Sequence, residues 1–368
     1  MLSIKPEFMR RLRAATTVAE VQSMVTAAYT LELATIPTYL TGAFSVKPGF
    51  NPEALALVQS VAYEEMLHLT LACNLLIAIG GTPAILDTGL SLEFPTPLPM
   101  CVDEGLTVAL GAMTPEQVYT VFMGIEHPDT QAILPGEQAV SALMLQKQSQ
   151  GYESIGDFYQ AILDKLAELE AAGLAPFGQP NLDNQVDIRP WFPHVECGDG
   201  KVSNMETARA IVAVILAQGE GAAIGDDPID PCGGFAGSFA HYFKFGEIYF
   251  GKRLVADAQA VSGWSYSGAP VALDPEGVYR FLPNAAVSDY VPGTAVHTAA
   301  ADFFNSYKRL LTSLDQVFNG APEKLKSALA IMYELKLLAQ KVVQFPAYPD
   351  QPAGYVAAPP FMLNKKPA

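Results

Sequence analysis

Residues 64–77, Glu64-Glu65-Met66-Leu67-His68-Leu69-Thr70-Leu71-Ala72-Cys73-Asn74-Leu75-Leu76-Ile77, set two acids and an imidazole at the head of a largely apolar run. Asn51-Pro52-Glu53 opens this helix with a cap residue, a first-turn proline and an acid, and Gly80-Gly81 stops it. Leu69, Leu71, Leu75, Leu76 and Ile79 leave it few solvent faces, so it reads as a central helix. Glu65 and His68 stand three apart and, at about 100° per residue, project within about 60° of each other. Burying such groups unpaired is expensive, so a use for them is expected.

Working outward, three more apolar helices carry groups of the same kind. Residues 17–44 show helical spacing at Val18, Val21, Met24, Val25, Ala28 and Leu31, with Glu32 inside an apolar stretch and Pro37 as a candidate kink. Ser203-Asn204-Met205-Glu206 reads as a capping box opening a helix that reaches Gly221 and carries Glu220 near its end. Residues 238–254 form the fourth, with His241 and Glu247 among aromatics. Glu-x-x-His from one helix, with single carboxylates from others, is the ligand pattern of dinuclear carboxylate centres inside four-helix bundles. Glu32, Glu65, His68, Glu220, His241 and Glu247 are therefore the candidate metal ligands, and this oxygen-and-nitrogen set suits iron, with manganese or a single metal as alternatives. One departure stands out. His241 and Glu247 are six apart, roughly 120° off a common face, so both reach one centre only through a π-bulge or long side chains.

Other polar residues receive structural readings. Glu64 is expected to face solvent or a neighbouring helix, and Glu32 has Arg209 as an alternative partner. Asp226, Asp227 and Asp230 lack the ligand spacing of a calcium loop and read as turn and capping residues. His127, His194 and His297 have no partner at metal spacing; Lys244 offers an ion pair to a carboxylate; Glu334 is assigned an interhelical pair. Packing is the preferred role of Tyr39, Tyr63 and Tyr242.

Composition fixes the setting. The 368 residues are 50% hydrophobic and 16% charged, which excludes wholesale disorder. A net charge of −16 disfavours nucleic acid and anionic membrane surfaces as partners. The chain has no run of about 18 uninterrupted apolar residues and no apolar signal core after Arg10, Arg11 and Arg13, so a cytoplasmic location is expected. Cys73, Cys101, Cys197 and Cys232 lie far apart and read as reduced thiols. Residues 82–200, with Phe94-Pro95-Thr96-Pro97-Leu98-Pro99, read as a loop-rich insertion crossing one end of the bundle. Residues 1–260 then form the bundle. Residues 261–368 form a loop region, with room for a short strand or hairpin at 262–293, and a helical hairpin turning at Asn319-Gly320-Ala321-Pro322.

The segments Leu31-Glu32-Leu33-Ala34-Thr35-Ile36-Pro37-Thr38-Tyr39-Leu40, Glu64-Glu65-Met66-Leu67-His68, Gly80-Gly81-Thr82-Pro83, Gly219-Glu220-Gly221 and His241-Tyr242-Phe243-Lys244-Phe245-Gly246-Glu247-Ile248 resemble the ferritin-like domain of imine dimer synthases. Those enzymes act in violacein-type and related bisindole pathways. The resemblance implies an all-α, ferritin-like four-helix bundle, a dinuclear metal site and a place in secondary metabolism. The expected activity is that of an oxygen-dependent oxidase or oxygenase, or of an imine-coupling enzyme, on a small aromatic or amino-acid-derived substrate. The alternative is a non-catalytic iron-binding or structural protein. A small molecule is the expected partner, and a homo-oligomer is compatible with the sequence.

Overall fold

Helix α1 (Pro6–Ala14) leads into α2 (Val18–Phe44), which starts at a capping box. Thr17 accepts the Glu20 N–H, and the Glu20 carboxylate accepts the Thr17 N–H. The helix runs through Pro37 to Phe44. Helix α3 (Pro52–Ala78) follows, but Asn51 does not cap it with its side chain. Its amide instead bonds the backbone N–H and C=O of Asp274, tying the helix start to a distant loop. By length and hydropathy α3 could cross a membrane; 83% of that apolar window is buried inside the protein, as in a core helix. This computed structural model describes residues 4–100, 106–128, 134–136, 153–219, 228–230, 238–347 and 354–365.

After α4 (Ile85–Ser91), a short helix α5 spans 115–125 and carries a π-helical turn at Val118–Phe122. Helix α6 (Ile155–Ala171) opens with a Ser154/Asp157 capping box. Helix α7 (Met205–Gln218) is capped by Asn204 with Thr207, not by Ser203 with Glu206, so the expected start slips by one residue. Helix α8 (His241–Phe250) is shorter than the expected 238–254. It stops at Gly251, in the left-handed region with φ 72°, and the chain turns directly into a strand.

Helices α2 and α3 pack along each other and share two flanking sets. On one side α3 packs on α7, α7 on α6 and α6 on α2, closing a four-helix ring. On the other, α8 packs on α3 and on the π turn of α5, whose Phe122 ring fills the space a side chain at Gly42 of α2 would need. Tyr39, Phe122 and Phe245 lock this second set together, with ring centroids 5.1–5.2 Å apart. The expectation that 82–200 is a loop-rich insertion that only crosses one end of the bundle is thus corrected. Its helix α6 closes one ring and its helix α5 abuts α2 and α8, because the apolar faces of α2 and α3 are too wide for α7 and α8 alone to cover.

Strands β1 (Lys252–Ala256) and β2 (Trp264–Pro270) form an antiparallel hairpin against α8. A Cβ at Gly246 would lie 2.0 Å from the Tyr266 hydroxyl oxygen, so only glycine allows this approach. Strands β3 (Arg280–Phe281) and β4 (Tyr355–Val356) pair in parallel. Helices α9 (Ala295–Phe318) and α10 (Leu325–Val342) form the terminal hairpin, with α9 also resting on α4.

Candidate metal centre

Where the two flanking sets meet, side chains from five helices converge. Glu32 comes from the middle of α2, and Glu65 and His68 from the middle of α3. Glu126 follows the last turn of α5, His241 is the first residue of α8, and Gln218 is the last of α7. Two buried groups could each hold a metal ion: Glu32, Glu65 and His68, and Glu65, Glu126 and His241. Glu65 belongs to both. Its Oε1 lies 3.6 Å from His68 Nδ1 and 3.0 Å from His241 Nδ1, while Thr35 donates to its Oε2 at 2.8 Å. The imidazoles stack with centroids 5.4 Å apart.

Each outer carboxylate is steadied by a buried phenol. Tyr159 of α6 donates to Glu32 Oε1 at 2.6 Å, and Tyr39 of α2 donates to Glu126 Oε1. Each imidazole turns Nδ1 inward and is held through Nε2. His241 Nε2 donates to Glu64 Oε2 at 2.9 Å, and that carboxylate also accepts from Lys244 at 2.5 Å. His68 Nε2 donates to Gln218 Oε1 at 3.1 Å, and the Gln218 amide donates to Asp230 at 3.4 Å. Such anchoring fixes the ring and the tautomer, as outer partners of metal-binding histidines do.

The residues fit a cation. His241 Nδ1 is buried, has no hydrogen bond of acceptable geometry, and faces carboxylate oxygens of Glu65 and Glu126 at 3.0 and 3.3 Å. Without a cation, protons do the neutralising. Burial and the charge of Glu65 push Glu32 up to about 8. Burial works against ionised Glu65 too, but the two imidazoles prevail and hold it well below the usual carboxylate range. Burial is likewise outweighed at His68 by Glu65 and at His241 by Glu126, so both imidazoles are raised, His241 strongly. A metal ion would displace these protons. Beside Glu32, Glu65, His68 and Glu126 lies a cavity of about 30 Å3 walled by Leu31, Ile125, Ile155, Ile215 and Leu216.

Of the six sequence-derived ligands, the structure brings together Glu32, Glu65, His68 and His241. Glu247 does not join them. Its carboxylate bonds Arg253 at 2.6 Å and the Leu254 N–H at 2.9 Å, anchoring β1, and the 120° offset from His241 explains why. Glu220 lies outside the described residues, as do Asp226, Asp227, Cys101 and Cys232. Glu126 was not expected; its only trace in the sequence is an acid ending the apolar run Val118, Val121, Phe122, Met123 and Ile125. Tyr159 and Gln218 were also missed. Glu64 turns to His241 and Lys244 of the neighbouring helix α8, the second of its two expected surroundings, and this matches the ion pair foreseen for Lys244. Tyr39 is more than packing, whereas Tyr63 donates to the Trp191 carbonyl away from the site. Arg209 is not the partner of Glu32, which Tyr159 occupies.

A ferritin-like family model matches residues 25–250, spanning both flanking sets and every residue of the cluster. The chain belongs to the ferritin-like family. Its fold is similar to the crystal structure of a ferritin-like protein from Caulobacter vibrioides, with a TM-score of 0.53 and 23% identity over 87% of this chain and 93% of that one. It is also 24% identical, over 92% of its length, to dichlorochromopyrrolate synthase of Lentzea aerocolonigenes. This chain spans 35% of that relative's length.

Proposed function

We propose that this ferritin-like chain is a non-haem dinuclear metalloprotein, iron foremost and manganese next, that acts as an oxygen-dependent oxidase or oxygenase, or in imine coupling, on a small aromatic or amino-acid-derived molecule of secondary metabolism. The observation that carries the reading is Glu65 Oε1, held between two inward Nδ1 atoms, each with its own outer carboxylate. Glu65, Glu32 and Glu126 would supply three negative charges toward the four of two divalent ions, and Glu220 is the sequence's candidate for the fourth. Bound iron would supply oxygen binding and electron transfer. The chain's residues do the rest: Tyr39 and Tyr159 orient the outer carboxylates, Glu64 and Gln218 orient the imidazoles, and Leu31, Ile125 and Ile215 keep bulk water from the cavity. The similarity to a dichlorochromopyrrolate synthase, together with the resemblance to imine dimer synthases, supports a small aromatic or amino-acid-derived substrate.

One observation favours the non-catalytic alternative. A cavity of about 30 Å3 holds little more than one water-sized molecule, as a closed structural site would. Anaerobic iron loading followed by air, monitored by absorbance and an oxygen electrode with indolic imino and amino acids, separates the two. Oxygen uptake accelerated by a substrate supports the enzyme. Tightly retained iron that neither changes colour nor consumes oxygen sinks it.

A further inference from the structure

Helix α10 buries one side and leaves the other uncovered. Ala328, Leu335, Ala339 and Val342 are buried, whereas Ala330, Tyr333 and Leu337 stand on the far side at steps of three and four. Tyr333 is 77% exposed and Leu337 61%. Single exposed apolar residues are ordinary, but these two lie one turn apart, and the patch continues across to α3. There the Tyr63 phenol, raised first by burial, is raised also by the Tyr333 phenol, so the two are neighbours, and the Phe192 ring stacks on Tyr63 at 4.4 Å. With Lys326 before it and Gln340 after it, the stripe steps four, three, four, three, the seam by which one helix receives another.

Charge says what that second helix is. Lys326, Lys336 and Lys341 frame the stripe, exposed and without an ion pair among the described residues. Glu334, the one acid of α10, is taken by Arg309. A positive strip on a chain of net charge −16 attracts an acidic partner. A second copy is a poor match, because a two-fold contact along the stripe sets Lys336 against its own symmetry mate and brings no free acid to the lysines. An anionic bilayer would be repelled by the rest of the chain. We propose that the outer stripe of α10 is a docking surface for an acidic amphipathic helix of another protein. The apolar residues of that helix cover Tyr333, Leu337 and Tyr63, and its flanking carboxylates meet Lys326, Lys336 and Lys341.

The test uses the full chain and a fluorescent, side-chain-stapled helical peptide of about five turns, the length of α10, with leucines along one face and glutamates flanking them. Fluorescence anisotropy at low salt should give a Kd on the order of tens of micromolar, weakening as salt is added. Tyr333→Ser with Leu337→Ser should weaken binding at least about 10-fold, as should Lys326→Glu with Lys336→Glu and Lys341→Glu. All five side chains are exposed, so these variants should keep the wild-type circular dichroism and Tm. A peptide with serine in place of each leucine should not bind. Equal binding by wild type and the Tyr333→Ser, Leu337→Ser variant overturns the proposal, and so does no binding to wild type at about 200 μM, well above the expected Kd. Sedimentation and vesicle flotation test the other occupants. A wild-type dimer that this variant makes monomeric assigns the stripe to a second copy and overturns the acidic partner. Wild-type flotation with phosphatidylglycerol vesicles that this variant loses assigns it to a membrane, with the same consequence.

Discussion

The α2/α3 and α9/α10 hairpins each pair two long helices across a short connection. In α9/α10 the acid Glu334 meets Arg309 at 2.5 Å with both side chains largely in solvent, where either charge is stable alone. In α2/α3 the acids Glu32 and Glu65 are buried, and among the described residues the groups that pair with or donate to them are two imidazoles, a phenol and the Thr35 hydroxyl, with no arginine. Arginine would neutralise such acids permanently, whereas imidazoles can exchange a proton for a metal. The second hairpin is held by an exposed ion pair, whereas the first buries acids whose imidazole partners could give way to a metal ion.

Glu65→Ala should break the contrast most severely. Both ligand groups lose their shared carboxylate, and bound metal after gel filtration should fall at least about 100-fold in affinity, more than for any outer partner. Retention of two equivalents by this variant would refute the shared-carboxylate arrangement.

Metal removal comes next, and pH gives its sign. Glu32, His68 and His241 all have raised values in the metal-free fold, so the stability they confer is complete at low pH and is lost as pH rises. For Glu32 the loss runs from its ordinary 4.5 to about 8. Glu65 is depressed, and its contribution is lost only as pH falls through acid values. Metal-free protein should therefore show a Tm that declines from pH 6 to 9, and manganese should flatten the decline. A metal-free Tm independent of pH over that range would contradict the protonated cluster.

Tyr159→Phe removes one hydrogen bond to a buried carboxylate and should destabilise the protein by about 1–3 kcal/mol in urea unfolding while leaving metal stoichiometry intact. Loss of a full equivalent would promote Tyr159 from support to ligand shell. Arg309→Met should change least: under about 1 kcal/mol of stability and nothing in metal affinity. A larger effect would mean that the outer hairpin carries more than adhesion.

The centre of the molecule is legible in the sequence because α2 and α3 are long, apolar and continuous, so an acid or imidazole buried within them requires a partner. Glu32, Glu65 and His68 all stand at such positions. Legibility fails where helices are short. Glu126 follows a helix of 115–125 that reads as part of an insertion, and its π turn breaks the period by which its facing could be read. Tyr159 sits on α6, where an amphipathic pattern says only that one face is covered, not by what. The sequence leaves Glu64 between solvent and a neighbouring helix, because adjacent residues on one helix do not share a face. His241 and Lys244 of α8 made a second inward face on the other flank of α3.

The place of each cluster residue along the chain has a mechanical consequence. Glu32, Glu65 and His68 project from mid-helix, where backbone hydrogen bonds on both sides resist displacement. Glu126 and His241 project from helix ends, which are braced from one side only. The site is thus a vice with one fixed jaw, machined into α2 and α3, and one adjustable jaw hung on α5 and α8. Changes in the connecting chain can reset the gape of the second jaw without disturbing the alignment of the first.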